Sequence, residues 1–114
     1  MDAGLRVQLE GSEEVPVIRV AGEVDLTTAP ELRAKLAELP AAGGTVVIDM
    51  SEVTFLDSTG LSVLVASWKR LCEAGEKNSF RLVVNRPAIQ RVLDVTGLTQ
   101  IFEVFSSLEE ATKP

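Results

Sequence analysis

The sequence predicts an α/β domain, a mixed and mostly parallel sheet of about four to five strands with helices packed against it. Residues 45–50 are nearly all apolar and β-branched, the pattern of a central strand covered on both faces. Segments of strand character alternate along the chain with segments whose apolar residues recur at helical spacing. Alternation of that kind implies strands joined by crossover helices. The order reads β-β-α-β-α-β-α-β-α, and 114 residues suit one domain over 1–114, without a linker or repeat.

Residues 5–10 alternate apolar and polar, as a half-buried strand does, and 11–14 form a polar turn. Residues 15–20 read as a second strand, with Ile18 and Val20 on one side, hairpinned to the first. Gly22 ends it, and Glu23-Val24-Asp25-Leu26 reads as a loop. Thr28-Ala29-Pro30-Glu31 then announces a helix, with Thr28 and Glu31 spaced as a capping box and Pro30 harmless in the first turn. Leu32, Leu36 and Leu39 share one face, and Pro40 with Gly43 and Gly44 stops the helix.

After the strand at 45–50, residues 51–57 read as a loop in which Phe55 and Leu56 plug the core. A long helix starts at about Ser58, with Leu61, Leu64, Val65, Trp68, Leu71 and Cys72 on its apolar stripe. Lys69 and Arg70 suit its C-terminal end, and Gly75 is a candidate cap. Residues 80–84 read as a short buried strand. Pro87 opens a helix that turns Ile89, Val92 and Leu93 inward and closes near Gly97. Residues 101–105 give a last strand, and Ser107 starts a short final helix.

Composition narrows the function. There is no histidine, which removes a Ser-His-Asp triad, a Cys-His pair and any histidine metal site. One cysteine, Cys72, forms no internal disulfide and agrees with a reducing compartment. Cys72 reads as a core residue of the apolar stripe, with a redox role as the open alternative that no adjacent basic residue marks. The net charge of −6, from 17 acidic and 11 basic residues, leaves no basic stripe for nucleic acid. The longest apolar run, 61–68, is broken by Ser62 and Ser67 and falls short of the roughly 20 residues of a membrane span. The first residues show no signal peptide, so direct membrane insertion is not expected and the cytoplasm is the expected location. No cofactor or metal is expected.

Function in such a sheet gathers where strands end and helices begin. Two junctions carry polar chemistry: Gly22-Glu23-Val24-Asp25, and Asp57-Ser58-Thr59-Gly60. A helix N-terminus favours an anion, so a serine there is well placed to carry a phosphate. Serine is equally at home as a plain N-cap, a role the residue pattern alone favours for Ser58 and that Asp57 or Thr59 can share. Asp49 reads as a strand-end carboxylate bonded to backbone amides. An aspartate phospho-receiver would need an acidic pair at the end of the first strand, and Glu10-Gly11-Ser12 supplies none. The reading is of a binding module rather than an enzyme.

The run from Val47-Ile48-Asp49-Met50 through Phe55-Leu56-Asp57-Ser58-Thr59-Gly60-Leu61 strongly resembles the central signature of STAS-domain anti-sigma-factor antagonists. Residues 22–29 resemble that family's loop after the second strand, and 87–93 with Thr96-Gly97-Leu98 its third helix and exit turn. The resemblance implies a chain that binds an anti-sigma factor serine kinase and so releases a sigma factor. It implies that the kinase switches this binding off by phosphorylating Ser58, and that a metal-dependent serine phosphatase resets it. It also implies partner-facing residues at Glu23, Asp25, Thr27, Asp57, Ser58, Thr59, Gly60 and Ser62. Thr59 and Ser62 depart from the commoner residues of the family, as does the stretch 75–79. The same resemblance admits a second role, as a STAS accessory subunit of a membrane transporter or a sensory assembly.

Overall fold

The computed structural model describes residues 4–11, 15–39, 44–73 and 79–113, without the side chains of Cys72 and Glu73. Five strands, β1 (Leu5–Gly11), β2 (Pro16–Val24), β3 (Thr45–Leu56), β4 (Ser79–Val83) and β5 (Glu103–Phe105), form one sheet in the order β1-β2-β3-β4-β5. β1 runs antiparallel to β2, and the remaining pairs are parallel. Parallel neighbours need crossovers, supplied by α1 (Ala29–Ala37), α2 (Ser58–Glu73) and α3 (Pro87–Thr96). A 3-10 turn, Leu98–Gln100, leads into β5, and α4 (Leu108–Ala111) closes the chain.

The core has two parts. The larger unites Ile18, Val20, Ile48 and Leu82 of the sheet with Leu32 and Leu36 of α1, Leu64 of α2 and Ile89 and Leu93 of α3. Val17, Val47 and Val83 join Ala111 of α4 in the smaller cluster. Residues 46–50 of β3 are therefore buried without a break, as the nearly all-apolar run predicts, with Asp49 buried among them. Each fully buried Leu or Ile contributes roughly 1.5–3 kcal/mol by leaving water. Trp68 is half-buried and meets Phe102 edge-on, with ring centroids 6.5 Å apart.

The middle of the sheet extends further than the residue pattern predicts. β3 continues through residues 51–56, where polar and apolar side chains are mixed, and β2 continues past Gly22 to Val24. Each extension satisfies the other's backbone groups, with Glu52 opposite Ala21, Glu23 opposite Phe55 and Val24 opposite Leu56. The register shifts twice on the way, between Arg19 and Ala21 and between Gly22 and Glu23. Gly22 makes the second shift sterically possible: its φ is +108°, and a Cβ there would lie 2.3 Å from the carbonyl oxygen of Gly4. Of the two expected plugs, Leu56 is buried, but Phe55 is 47% exposed because the irregular pairing turns it away from the core.

Other local readings shift as well. Thr28 is the N-cap of α1 but accepts no amide from within the helix, so no capping box forms; its hydroxyl serves the preceding loop instead. β5 starts at Glu103 rather than 101, because Ile101 and Phe102 donate their amides to Leu98 and close the 3-10 turn. Asp49 lies within the lengthened β3, 3% exposed, where it accepts the Ser51 amide at 3.0 Å and faces Arg19 Nε at 3.7 Å. The helix ends fit the reading: α3 begins at Pro87 and closes at Gly97 with φ +78°, and Ser107 caps α4 by accepting the Glu110 amide. The turn residues 12–14, the stops Pro40 and Gly43, the cap Gly75 and the side chain of Cys72 lie outside the described residues.

Candidate functional site

The extended pairing of β2 with β3 carries both polar junctions to one edge of the domain. Val24 and Leu56 are opposite each other, and the Asp57 amide donates to the Val24 carbonyl at 3.2 Å. The two loops are thus fastened together one residue before each of their acids, Asp25 and Asp57.

In the first loop Asp25 is the organiser. Its Oδ1 accepts from the Thr27 hydroxyl at 2.8 Å, the Thr27 amide at 3.0 Å and the Thr28 amide at 3.1 Å. The Thr28 hydroxyl accepts the Asp25 amide at 2.9 Å and donates to the Glu23 carbonyl at 2.7 Å. This network holds the Asp25 carboxyl below the usual aspartate range. The Thr27 hydroxyl is the largest cause; partial desolvation opposes it, and the Thr28 and Thr27 amides and the Thr28 hydroxyl add to it. Glu23 and Thr27 stay exposed, and Leu26 between them is 72% exposed.

In the second loop the helix cap is Asp57. Its Oδ1 accepts the amides of Thr59 at 2.9 Å and Gly60 at 3.2 Å, and its carbonyl accepts the Leu61 amide at 3.0 Å. That resolves the double reading of Ser58: the capping role falls to the aspartate before it. Ser58 is the first residue of α2 and is exposed, and its hydroxyl forms no hydrogen bond among the described residues. Ser62, one turn on and also exposed, donates to the Ser58 carbonyl at 2.9 Å. Thr59 is half-buried.

Gly60 stands apart from the other residues of this group because it is buried. A Cβ there would lie 2.6 Å from both Val24 Cγ1 and Leu56 Cδ1, so the missing side chain lets α2 press against the ends of β2 and β3. Its contribution is to position Ser58 rather than to offer a surface.

Ser58 also lines an open groove of about 550 Å³ between α2 and the exit of α3. Leu61, Val65 and Leu98 supply its apolar lining, and Ser62 and Lys69 lie along it with Ser58. Residue-pattern reasoning missed this groove, because its two walls come from segments distant in sequence. It also missed the bridging role of Thr28, which the Asp25-x-x-Thr28 spacing signals. Among the described residues no cluster of three or more acidic or cysteine side chains is arranged to hold a metal, and no helix is long and apolar enough to cross a membrane.

Comparison with known proteins agrees with this architecture. The STAS domain family model matches residues 6–111. The anti-sigma-B factor antagonist of Bacillus subtilis is 32% identical over 105 residues, which span 92% of this chain and 94% of that one. The crystal structure of an anti-sigma factor antagonist from Mycobacterium paratuberculosis superposes with a TM-score of 0.87 at 33% identity, over 97% of this chain and 93% of that one. The Bacillus cell fate determinant SpoIIAA, 28% identical, superposes over 93% of this chain in both solved forms. The unphosphorylated form gives a TM-score of 0.75 over 92% of its chain, and the phosphorylated form 0.68 over 96%. A five-stranded mixed sheet with this element order, and a family match running from β1 to α4, lead to one assignment: the chain belongs to the STAS domain family.

Proposed function

We propose that this chain is an anti-sigma-factor antagonist acting in the cytoplasm by binding rather than catalysis. It docks on an anti-sigma factor that is also a serine kinase, and so frees a sigma factor. Phosphorylation of Ser58 by that kinase ends the binding, and a metal-dependent serine phosphatase restores it. Glu23, Asp25, Thr27, Asp57, Ser58, Thr59 and Ser62 form the docking face, which Gly60 holds in place.

The observation that carries this reading is the exposed Ser58 hydroxyl, left uncommitted by a cap that Asp57 provides. The names of the curated relatives support the antagonist role, and the existence of SpoIIAA in a phosphorylated form supports the switch. The charge argument gives its size. A phosphoserine adds about −1.5 to −2 charges at neutral pH. Two amides at the start of α2 already bind Asp57, so they have less to offer a phosphate on the next residue. Docked against a surface shaped for a hydroxyl, that charge would be desolvated beside Asp57 and the acids of the neighbouring loop. Such unpaired or like-charge contacts cost several kcal/mol, and about 1.4 kcal/mol is tenfold in affinity. Binding should therefore fall by roughly a hundredfold or more without refolding.

Mass spectrometry of the protein purified from its own host tests the assignment. The expected result is a single phosphate on Ser58 that rises and falls with sigma-factor activity. A phosphate found only elsewhere in the chain, under every such condition, would sink the reading.

A further inference from the structure

β1 bonds to β2 on one side, and among the described residues no strand covers its other side. Edge strands are commonly kept from pairing with another chain by lysines, prolines or bulges. β1 carries neither lysine nor proline, and its register with β2 is unbroken from Leu5 to Gly11. In an antiparallel pair, successive residues turn their backbone groups alternately toward the neighbour and away from it. The Glu23 amide donates to the Gly4 carbonyl at 3.4 Å, so in this register Gly4, Arg6, Gln8 and Glu10 bond to β2. Leu5, Val7 and Leu9 then turn their amides and carbonyls outward. Pro16, with no amide to give, stands opposite Gly11, a position of that outward series. The side chains alternate as well. Arg6, Gln8 and Glu10 are exposed on one face; on the other, Val7 is half-buried against the main core and Leu9 is 65% exposed.

We infer that β1 pairs with β1 of a second copy, antiparallel about a two-fold axis at Gln8, so that two five-stranded sheets become one continuous sheet. Outward backbone groups must meet outward backbone groups, which puts the axis on a residue: Val7, Gln8 or Leu9 near the middle of the strand. Charge selects among them. Centred on Gln8, Arg6 of each copy stands directly opposite Glu10 of the other, and Val7 opposite Leu9. Centred on Val7 or Leu9, Arg6 has no acid opposite it. Opposite charges directly across an antiparallel pair stabilise it, and like charges there destabilise it. Glu10 already lies 3.7 Å from Arg19 of its own chain, so Arg6 of the second copy adds a second cation to the same carboxylate. Leu9, left in water by the single chain, gains the half-buried Val7 as a neighbour. The two-fold turns the joined ends of β2 and β3, and with them the two Ser58 residues, to opposite ends of the assembly. The inference does not depend on the reading of Ser58.

Sedimentation velocity of the purified full chain, from about 10 to 500 μM, tests it. One strand pair is a small interface, so wild type is expected to pass reversibly from monomer to dimer within that range. Arg6→Glu sets like charges opposite each other at both symmetric pairs, and so does Glu10→Arg. Each variant alone is expected to dimerise at least about tenfold more weakly, with circular dichroism unchanged. Mixed in equal amounts, the two variants bring opposite charges together at both pairs, and native mass spectrometry should find them joined as a heterodimer. Leu9→Pro removes an outward amide at an edge position that tolerates proline, and should stay monomeric and folded. Ser58→Asp, beyond β2 from this edge, should dimerise as wild type does. A wild type that is monomeric throughout the range overturns the inference. A dimer that survives all three β1 variants, or that Ser58→Asp dissolves, also overturns it, because another surface then joins the copies. Single charge variants that stay monomeric even when mixed overturn the register centred on Gln8.

Discussion

Asp57 holds the amide of Thr59 at 2.9 Å and so caps the helix on whose first residue, Ser58, the hydroxyl is left facing solvent. Under the proposed function, stability and regulation are thereby divided between adjacent side chains. A serine that capped its own helix would have its capping oxygen esterified when modified, and phosphorylation would then also act on the fold. With the cap on Asp57, the charge of Ser58 can change while the start of α2 stays formed.

Removing each group in turn separates the two roles. Asp57→Ala is expected to cost about 1 kcal/mol of stability, within the roughly 0.5–2 kcal/mol range of lost N-caps. Ser58→Ala, at an exposed position without a side-chain bond, should change stability by less than about 0.5 kcal/mol. Urea unfolding of the two variants measures both numbers. A larger loss in Ser58→Ala than in Asp57→Ala would return the cap to the serine.

Gly60→Ala pits helix propensity against packing. Alanine favours a helix interior over glycine by about 1 kcal/mol. The new methyl would, however, stand 2.6 Å from Val24 Cγ1 and Leu56 Cδ1, both on buried residues. Overpacking of a core costs typically 1–3 kcal/mol, so a net loss of about 1 kcal/mol is expected. Because α2 would shift outward from the strand ends, kinase affinity should drop in the same variant although no docking atom is removed. Thermal unfolding and titration calorimetry on one preparation check both outcomes.

The Asp25 loop should respond to acid. Its carboxyl is held below the usual aspartate range, chiefly by the Thr27 hydroxyl. A folded-state pKa below the unfolded one means that the ionised form favours folding. That contribution is fully present above the unfolded value of about 4 and is lost as pH falls through the lower folded value. An NMR titration should therefore find the Asp25 midpoint below that of an unstructured aspartate, and Thr27→Val should raise it. A midpoint unchanged by Thr27→Val would remove the hydroxyl as its cause.

Much of this arrangement is legible in the residues, and the exceptions share a cause. Local signals mark the start of α2 at Ser58, the proline-led α3, the glycine exit at 97 and the serine cap of α4, because each depends on neighbours within a turn. The extension of β3 through 51–56 does not announce itself. Polar and apolar residues are mixed there without a regular alternation, and their pairing partner is the equally irregular end of β2, just over thirty positions earlier. Phe55 follows from that: whether it plugs the core or faces solvent depends on a register shift that no short window reveals. Thr28 sits where a capping box is spelled, yet Asp25 competes for its hydroxyl and the loop wins. At the site, the residue types and their order pointed to Asp57-Ser58, while the choice of which one caps the helix required the structure.

The central claim is that one negative charge centre on Ser58 separates the bound from the free state. Its most direct measurement is calorimetric titration of the purified host kinase with the intact chain, once unmodified and once stoichiometrically phosphorylated on Ser58. The account predicts tight binding for the first and an affinity at least about a hundredfold lower for the second, with identical far-ultraviolet circular dichroism. Equal affinities for the two forms would contradict it.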